Sequence, residues 1–552
     1  KDVEDLPEYL MPGSRDQEVY SELKGVRIDK ENSVWSSEDD VWYGAWFDKD
    51  RTALLKYPCK RSYVSKYEIP STVTKIWPYA FQDSQIHEVV IPDSVTSVGT
   101  GAFYDCKATS INIPDWMTSI PDYAFAADLK SVKLPESVVK IGEGAFYGGA
   151  YTSLTIPESV VEIGAKAFDG GSYTSLNIPD SVEKIGEDAF GSRRINCTIT
   201  IGSGLKDITN LPEVQAYVVS DENPCFSSED GVLFNKDKTI LKRYPEYKTD
   251  TSYKVPDCVT VLESTLWNSN LESVVIGDGV KSIPGACFYY NESIKSLTLG
   301  KSVEKIGDYA FTKMSALETL VINSDLTDDQ LSNCYINKGT NIKIGNVNQI
   351  ASCLFNISNI ASIEPDKEAD AVVKVNGVFY SKDMTRLIKY DPTLTKSTFT
   401  IPDTVRYISP YAFYECKHLD YLVINGNIEE VGEEAFTRTN FYLHVGKNVT
   451  QIHGAISYKI IGDIKIVDGN DTLVWVDGVL FTSDMKTLVK YPPVFMNTSL
   501  TNKEYVVPDT VTTIRKEAFN NGSLKKITFP VGITEIPEHA FYKCSFLETV
   551  IA

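Results

Sequence analysis

The apolar residues of this chain recur in a pattern that repeats along most of its length. One copy, Ile178–Phe190, reads IPDSVEKIGEDAF, and the copy before it, Ile156–Phe168, reads IPESVVEIGAKAF. The first run of copies ends in Ala-Phe pairs spaced by 22, 22, 21, 22 and 22 residues: Ala80–Phe81, Ala102–Phe103, Ala124–Phe125, Ala145–Phe146, Ala167–Phe168 and Ala189–Phe190. A fixed short period predicts a solenoid, because each copy can bury its apolar residues only by stacking on its neighbours.

The copy Leu129–Phe146, LKSVKLPESVVKIGEGAF, shows what one unit is expected to form. Val132 and Leu134 are two residues apart, so they share the inward face of a strand, and Ser131 and Lys133 point to the opposite face. The proline that follows ends the strand, since it has no backbone donor. We expect the Ala-Phe pair to close the coil within a short helical turn. Stacked copies would then form a parallel sheet along one side.

A second kind of segment alternates apolar and polar residues around a central turn, which predicts a β-hairpin. It occurs four times, at Val41–Pro58, Gly231–Pro245, Gly377–Pro392 and Gly478–Pro492. These hairpins divide the chain into blocks at 35–224, 225–371, 372–472 and 473–552, all expected in one continuous solenoid after an N-terminal cap or leader segment at 1–34. The stretches 195–224, 323–371 and 440–472 keep short apolar runs but lack the Ala-Phe pair, and we interpret them as degenerate repeats.

The period and the L-x-x-L-x-L opening fall within the range of leucine-rich repeats. The motif IPDSV…IG…AF…C, with Pro or Gly directly after the strand, resembles the BspA-like (Treponema-type) leucine-rich repeat family over roughly residues 35–552. We therefore predict an α/β repeat fold: a leucine-rich-repeat solenoid with a parallel sheet on one face, short strands or helical turns on the other, and four hairpin insertions. The resemblance implies a secreted or cell-surface protein of bacteria, often host-associated, similar to adhesins that bind matrix proteins, host cells or other bacteria.

The composition of the chain argues against some classes of partner and against a membrane span. The 552 residues carry a net charge of −21, which argues against binding to nucleic acid and to anionic lipid. No run of eighteen or more apolar residues is present, so no transmembrane segment is predicted. The ten cysteines form no CxxC pair and are expected to be mostly small buried residues, although a disulfide or two stays possible.

The strongest candidate site is the solvent face of the parallel sheet, where each strand presents two side chains. These are small and polar in the first block and more apolar in the later blocks. The candidate binding residues are Ser110, Asn112, Ser131, Lys133, Ser153, Thr155, Ser175, Asn177, Val275, Val321, Tyr421 and Val423. This face could dock an extracellular protein or a glycan. Alternatively, small polar residues simply suit crowded, solvated strands.

Two sets of carboxylates could suggest calcium, but turn formation is the favoured interpretation of both. One set follows the strand prolines, at Asp93, Asp115, Glu136, Glu158 and Asp180. The other lies at the hairpin tips, at Asp48, Asp50, Asp237, Asp383 and Asp484. Asp in Pro-Asp-Ser sequences is a turn former, and neither set matches an EF-hand loop. We predict no metal site and no cofactor.

Catalysis has little support in the sequence. The five histidines lie in different units, and no nucleophile elbow, phosphate loop or dinucleotide fingerprint is present. His418 follows Cys416 closely, but Cys416 occupies a structural repeat position. We predict a non-enzymatic binding protein outside the cell or on its surface. The alternatives are a structural spacer that displays other modules and a glycan-binding module.

Overall fold

The structure is a computed structural model, and the residues it describes are 35–37, 45–59, 65–191, 195–263, 266, 270–331, 333–337, 339–356, 360–432, 434–436, 438–439, 441–450, 464–491, 504–520, 522 and 524–552. The predicted cap at 1–34 lies outside the described residues, as does 451–463 within the degenerate stretch 440–472. The chain divides into two compact units. Unit 1 comprises Lys1–Asp250 with Glu263–Asn270, and unit 2 comprises Thr251–Leu262 with Leu271–Ala552.

Each regular coil contributes one strand to a first series of parallel sheets, which we call the first sheet, and a two-residue strand to a second series, which we call the second sheet. First-sheet strands in unit 1 are β4 (Lys66–Glu68), β6 (Glu88–Val90), β8 (Ser110–Ile111), β10 (Val132–Lys133), β12 (Leu154–Thr155), β14 (Ser175–Ile178), β16 (Thr198–Ile201) and β17 (Ala216–Val219). Those in unit 2 are β21 (Ser252–Lys254), β23 (Ser273–Val275), β25 (Ser296–Leu299), β27 (Thr319–Ile322), β28 (Asn341–Ile344), β29 (Ser362–Pro365), β33 (Thr398–Ile401), β35 (Tyr421–Ile424), β37 (Tyr442–Val445), β38 (Ile464–Ile466), β42 (Glu504–Val506), β44 (Lys526–Thr528) and β45 (Thr549–Ile551).

The second sheet is built from two-residue strands that follow the turn after each first-sheet strand. In unit 1 these are β5 (Lys75–Ile76), β7 (Ser97–Val98), β9 (Ser119–Ile120), β11 (Lys140–Ile141), β13 (Glu162–Ile163) and β15 (Lys184–Ile185). In unit 2 they are β22 (Val261–Leu262), β24 (Ser282–Ile283), β26 (Lys305–Ile306), β34 (Tyr407–Ile408), β36 (Glu430–Val431) and β43 (Thr513–Ile514). The predicted repeat solenoid is confirmed, with about 20 turns.

The four predicted hairpins are three-stranded antiparallel meanders. Their strands are β1 (Trp35–Ser37), β2 (Trp46–Asp48) and β3 (Ala53–Lys56); β18 (Phe226–Glu229), β19 (Val232–Asn235) and β20 (Ile240–Arg243); β30 (Val372–Val375), β31 (Val378–Ser381) and β32 (Arg386–Tyr390); and β39 (Leu473–Val476), β40 (Val479–Thr482) and β41 (Thr487–Lys490). The last strand of a meander pairs in parallel with the second sheet, as β3 does with β5, β32 with β34 and β41 with β43. The meanders therefore continue the sheet and are not insertions that leave it.

Turns between the two sheets hold neighbouring coils together. The serine of each Pro-x-Ser turn donates its hydroxyl to a backbone carbonyl one coil earlier: Ser159 to Val138 at 2.7 Å and Ser181 to Val160 at 2.7 Å. The glycine after the second strand is required by close approach, because a Cβ on Gly164 would lie 2.5 Å from the backbone carbon of Gly142. Between these two coils the backbones thus come too close for a larger residue at position 164.

The helical half of the α/β prediction is not confirmed. The described residues contain two helices, α1 (Asp328–Leu331) and α2 (Cys353–Asn356), each of four residues. The Ala-Phe segment is instead a tight turn, because the residue before alanine is left-handed, as at Tyr123 (φ 56°) and Lys166 (φ 53°). A left-handed residue interrupts the uniform dihedrals that a helix needs. The phenylalanine N–H is also used elsewhere, since Phe146 donates to Ala167 of the next coil at 2.7 Å.

The phenylalanines of the Ala-Phe pairs form a continuous stack through the core of unit 1. The ring centroids of successive coils are 4.7, 5.6, 5.7, 5.4 and 5.9 Å apart, along Phe81, Phe103, Phe125, Phe146, Phe168 and Phe190. All six rings are at most 1% exposed. Each ring is buried mainly by its two stacking neighbours, so the stack carries much of the contact between coils.

We expect Phe146→Ala to destabilise unit 1 by about 3–5 kcal/mol, because it leaves a ring-sized cavity between two stacked rings. Urea unfolding followed by circular dichroism measures the loss. Tyr147→Ala is the matched control: Tyr147 is the next residue and is 40% exposed, so its truncation should change the free energy of unfolding by about 0.5 kcal/mol or less. Equal effects of the two variants would show that the stack does not stabilise the coils.

Candidate functional site

In unit 1 the predicted site residues form an exposed row of small polar side chains on the first sheet. The residues are Ser110, Asn112, Ser131, Lys133, Ser153, Thr155, Ser175 and Asn177, and all eight are exposed. Asn112 nevertheless forms two hydrogen bonds with the backbone of Ile91 through its side-chain amide. The amide accepts from Ile91 N at 2.7 Å and donates to Ile91 O at 2.8 Å. Asn112 therefore extends the hydrogen bonding of the sheet with its side chain, which is a structural role.

In unit 2 the predicted apolar positions differ in accessibility. Val321 is only 9% exposed. It lies between Thr298 and Lys343 of the two adjacent strands, so it offers little surface to a partner. Val275 and Val423 are half-buried.

Tyr421 belongs to the most prominent aromatic cluster on this face, which we call the aromatic patch: Tyr421, Val423, Tyr442 and His444. Tyr421 and Tyr442 lie side by side on β35 and β37, with ring centroids 5.4 Å apart and planes at 25°. His444 approaches the Tyr421 ring at 5.3 Å. Tyr421 and Tyr442 are 39% and 49% exposed. The patch therefore presents large amphipathic side chains where the same face of unit 1 presents serine.

Sequence reasoning missed Tyr442 and His444 because they fall in the stretch 440–472, which lacks the Ala-Phe pair. A signal was present: Tyr442–Val445 reads YLHV and repeats the alternation of YLVI at Tyr421–Ile424. Aligning these two strands would have placed Tyr442 and His444 on the outward face.

Two carboxylates that directly follow strand prolines bridge adjacent coils as turn residues. Asp180 accepts from the backbone N–H of Ser203 at 2.6 Å, and Asp257 accepts from the backbone N–H of Asp278 at 3.1 Å. Among the described residues, no group of three or more Asp, Glu, His or Cys side chains has an arrangement that could hold a metal ion.

Three of the five aspartates at the meander tips, Asp48, Asp383 and Asp484, cap their own turns. Asp383 accepts from Thr385 N at 3.0 Å and from the Ser381 hydroxyl at 2.6 Å. These hydrogen bonds, the one from Ser381 first, lower the pKa of the Asp383 carboxyl. Their oxygens are therefore occupied by the local backbone and hydroxyl groups.

A lysine at the end of three meanders is buried in the turn of the next coil, a feature that sequence reasoning did not identify. In each of the three meanders this lysine directly precedes a tyrosine; the lysines are Lys56, Lys389 and Lys490. Lys389 is fully buried and Lys490 is 6% exposed. The ammonium groups donate to the carbonyl oxygen of the left-handed residue in the turn: Lys56 to Tyr79 at 2.8 Å, Lys389 to Tyr411 at 2.6 Å and Lys490 to Glu517 at 2.8 Å. Burial lowers the pKa of each lysine to about 8.

The candidate Cys/His pair has no catalytic geometry. Cys416 is 1% exposed, and burial raises the pKa of its thiol to about 12, so it stays protonated at neutral pH. His418 is exposed on the surface. All ten cysteines are free thiols.

One cavity of about 370 Å³ lies in unit 1 between the loop 209–213 and residues 187–191 and 246–247. Its lining includes Glu187, Asp188, Glu213 and Glu246, and no serine, cysteine or histidine. The Arg243 guanidinium donates hydrogen bonds to the backbone carbonyl oxygens of Ile208, Thr209 and Leu211, at 2.6–2.9 Å, and so fixes the position of this loop. The cavity is acidic but offers no pair of nucleophile and base. Within the described part of the chain, no helix is long and apolar enough to cross a membrane.

Comparison with known proteins identifies the repeats. The sequence model of one family, described as BspA type Leucine rich repeat region, matches six copies over residues 55–171, 126–211, 260–381, 390–460 and 491–552. No curated protein matches the chain significantly.

Several solved structures of bacterial repeat proteins are similar at low identity. A leucine-rich repeat protein from Eubacterium ventriosum is 22% identical with a TM-score of 0.32, over 74% of this chain and 93% of that one. The pneumococcal vaccine antigen PcpA is 16% identical with a TM-score of 0.27, over 96% and 99% of the two chains. A leucine rich cell surface protein from Faecalibacterium prausnitzii is 17% identical with a TM-score of 0.18, over 95% and 96%. The family assignment rests on the repeat match alone.

The buried lysine Lys389 should make stability depend on pH. Burial lowers the pKa of the Lys389 amine to about 8 in the folded state, from the 10.5 of an exposed lysine. The destabilisation from the buried charge is therefore fully present below pH 8 and is lost as the pH rises to 10.5. We expect the stability of the parent relative to Lys389→Met to rise by up to about 3 kcal/mol across this window.

Urea unfolding of both proteins at pH 7 to 10.5 measures the difference between their free energies of unfolding. The other titrating groups are the same in both proteins, so their contributions cancel in this difference. Lys382→Met is the matched control, because Lys382 is an exposed lysine on the same meander. A constant difference between the parent and Lys389→Met would contradict the assignment of a buried ammonium group.

Proposed function

Because this chain belongs to the BspA-type leucine-rich repeat family, we propose that it is a secreted or cell-surface binding protein, adhesin-like in function, that docks a protein partner on its aromatic patch. The observation that carries the proposal is the pair of exposed, stacked rings of Tyr421 and Tyr442 on the solvent face of the first sheet. Tyrosine is among the residues that dominate binding energy in protein interfaces, whereas serine is not.

The patch is suited to binding because it is rigid. Both tyrosines start from strands whose backbones pair residue for residue, Tyr421 with Tyr442 and Val423 with His444. Stacking restricts the rings before a partner arrives, so less side-chain entropy is lost on binding. The half-buried Val423 adds apolar surface beside the rings.

The geometry favours a protein over a glycan. Stacking on a sugar requires an open aromatic face, but the Tyr421 ring is already packed against Tyr442 at 5.4 Å and against His444 at 5.3 Å. The exposed parts of the two rings, with their hydroxyl groups, suit the mixed apolar and hydrogen-bonding contacts of a protein interface.

Binding of the purified chain to immobilised extracellular-matrix proteins and to epithelial cells tests the proposal. We expect the chain to bind at least one of these targets. The double variant Tyr421→Ser/Tyr442→Ser should weaken that binding at least tenfold, because it removes a hot spot. Both residues are exposed, so the fold should be unaffected, which circular dichroism checks.

The control is a second exposed tyrosine pair, Tyr309 and Tyr335, which also stack in unit 2, with centroids 5.7 Å apart, but on the turn side of the coil. Tyr309→Ser with Tyr335→Ser should leave binding within about twofold. Binding that survives loss of Tyr421 and Tyr442 would exclude the patch. If the chain bound none of the proteins or cells, a structural spacer would be favoured. If it bound only to a glycan array, a glycan-binding module would be favoured.

A further inference from the structure

A lysine lies directly beside the aromatic patch. Lys465 of β38 is opposite His444 of β37 in register, so the two side chains share the outward face of the first sheet. Lys465 is exposed and His444 is half-buried. Adjacent strands lie about 4.8 Å apart, so one group of a docked partner can reach both side chains.

This lysine differs from one in the same setting in unit 1. There Lys66 of β4 is opposite Glu88 of β6 in register, and its Nζ lies 3.3 Å from the glutamate carboxylate. Lys465 is opposite a histidine instead, and it forms no ion pair with any acidic side chain in the part of the chain that the structure describes. The positive charge beside the aromatic patch is therefore not neutralised by the described residues.

The described outward residues around the aromatic patch carry no carboxylate either. On β33 they are Thr398 and Thr400, in register with Tyr421 and Val423. The chain as a whole has a net charge of −21, so this part of the face is a local exception. Charges are screened over about 8 Å at physiological ionic strength, and a docked segment therefore responds mainly to the local charge.

The groups on this surface fit a carboxylate that stands next to an apolar side chain. An ammonium group and a protonated imidazole both donate charge-assisted hydrogen bonds to a carboxylate. The Tyr421 ring centroid lies 5.3 Å from that of His444, so an apolar side chain beside the carboxylate can reach the ring. A lysine or arginine of the partner would meet the like charge of Lys465, which is unfavourable.

We propose that the partner segment docked on the aromatic patch is acidic, and that one of its carboxylates binds between His444 and Lys465. This inference rests on the proposed function and adds the chemistry of the partner.

The same arrangement makes binding depend on pH. The described side chains that face the imidazole from the adjacent strands are Tyr421, Val423 and Lys465. Of these residue types and histidine, only histidine ordinarily changes charge between pH 7.5 and 5.5. The aspartate and glutamate side chains of a partner stay largely ionised in this range. The histidine gains its proton as the pH falls, so binding of a carboxylate tightens in mild acid.

Binding of the purified full chain to an array of synthetic 15-residue peptides tests the inference. The peptides share their apolar residues, and their polar positions carry either glutamate or glutamine. We expect the glutamate series to bind at least about fivefold more tightly at pH 7.5, and about fivefold more tightly again at pH 5.5. Lys465→Gln should weaken binding to the glutamate series at least about threefold. His444→Gln should remove the pH dependence.

Two further variants serve as controls, and circular dichroism shows whether each variant is folded. Lys133→Gln is the matched control, because Lys133 is an exposed lysine on the first sheet of unit 1, opposite Thr155. It should leave binding within about twofold. Asp463 is the acidic residue two places before Lys465 in the sequence. Asp463→Asn removes a negative charge and should therefore keep or strengthen binding.

Equal binding of the two peptide series, binding of neither, or a loss of binding in Asp463→Asn would overturn the inference. The double variant Tyr421→Ser/Tyr442→Ser separates it from the proposed function. If binding to matrix proteins or cells needs the tyrosines but neither His444 nor Lys465, the proposed function stands and the acidic partner is wrong. If the glutamate series binds through Lys465 without the tyrosines, the carboxylate site stands and docking on the rings is wrong.

Discussion

The fold depends on a contact that joins successive Ala-Phe coils: the phenylalanine of one coil donates its N–H to the alanine carbonyl of the next, as Phe146 does to Ala167, and their rings stack. Three of the four meanders make the same hydrogen bond with tyrosine, since Tyr57 donates to Ala80 at 2.7 Å, Tyr390 to Ala412 at 2.9 Å and Tyr491 to Ala518 at 2.8 Å. The Tyr57 ring stacks on Phe81 at 5.1 Å. A meander is therefore a coil with a different outer path that keeps the contact to the coil after it.

Much of this fold could be predicted from sequence because the core positions are periodic. The alternation in Leu129–Phe146 correctly placed Leu134, Ile141 and Phe146 inside, since each is buried and has an apolar residue at the equivalent position of the adjacent coils. The helical turn could not be predicted from Ala and Phe, which are compatible with helix. The turn is decided by the residue before them, and at that position Lys166 carries no sign of its left-handed backbone. The extra meander strand was missed because Asp477-Gly478 was read as the start of a strand, although both residues have positive φ and form the turn before it.

The candidate site was harder to predict for a related reason. Outward positions on the first sheet are not fixed by the stacking constraint, so their residues change from one block to the next. Ser153 and Tyr421 occupy equivalent outward places and differ completely in what they offer a partner. Accessibility is also set by neighbours: Val321 is outward in sequence pattern but is covered by side chains from both adjacent strands. A sequence pattern can therefore identify the solvent-facing side of the sheet. Only the register of several strands shows which residues on that side are accessible to a partner.

The buried lysines show how the chain specifies where a meander meets a regular coil. In the first and fourth blocks the residue after tyrosine is proline, Pro58 or Pro492, which has no N–H to continue the bonding toward the next coil. The preceding lysine reaches across and supplies a donor from its side chain. Burying an ammonium group is unfavourable, so this arrangement contributes less to stability than to specificity.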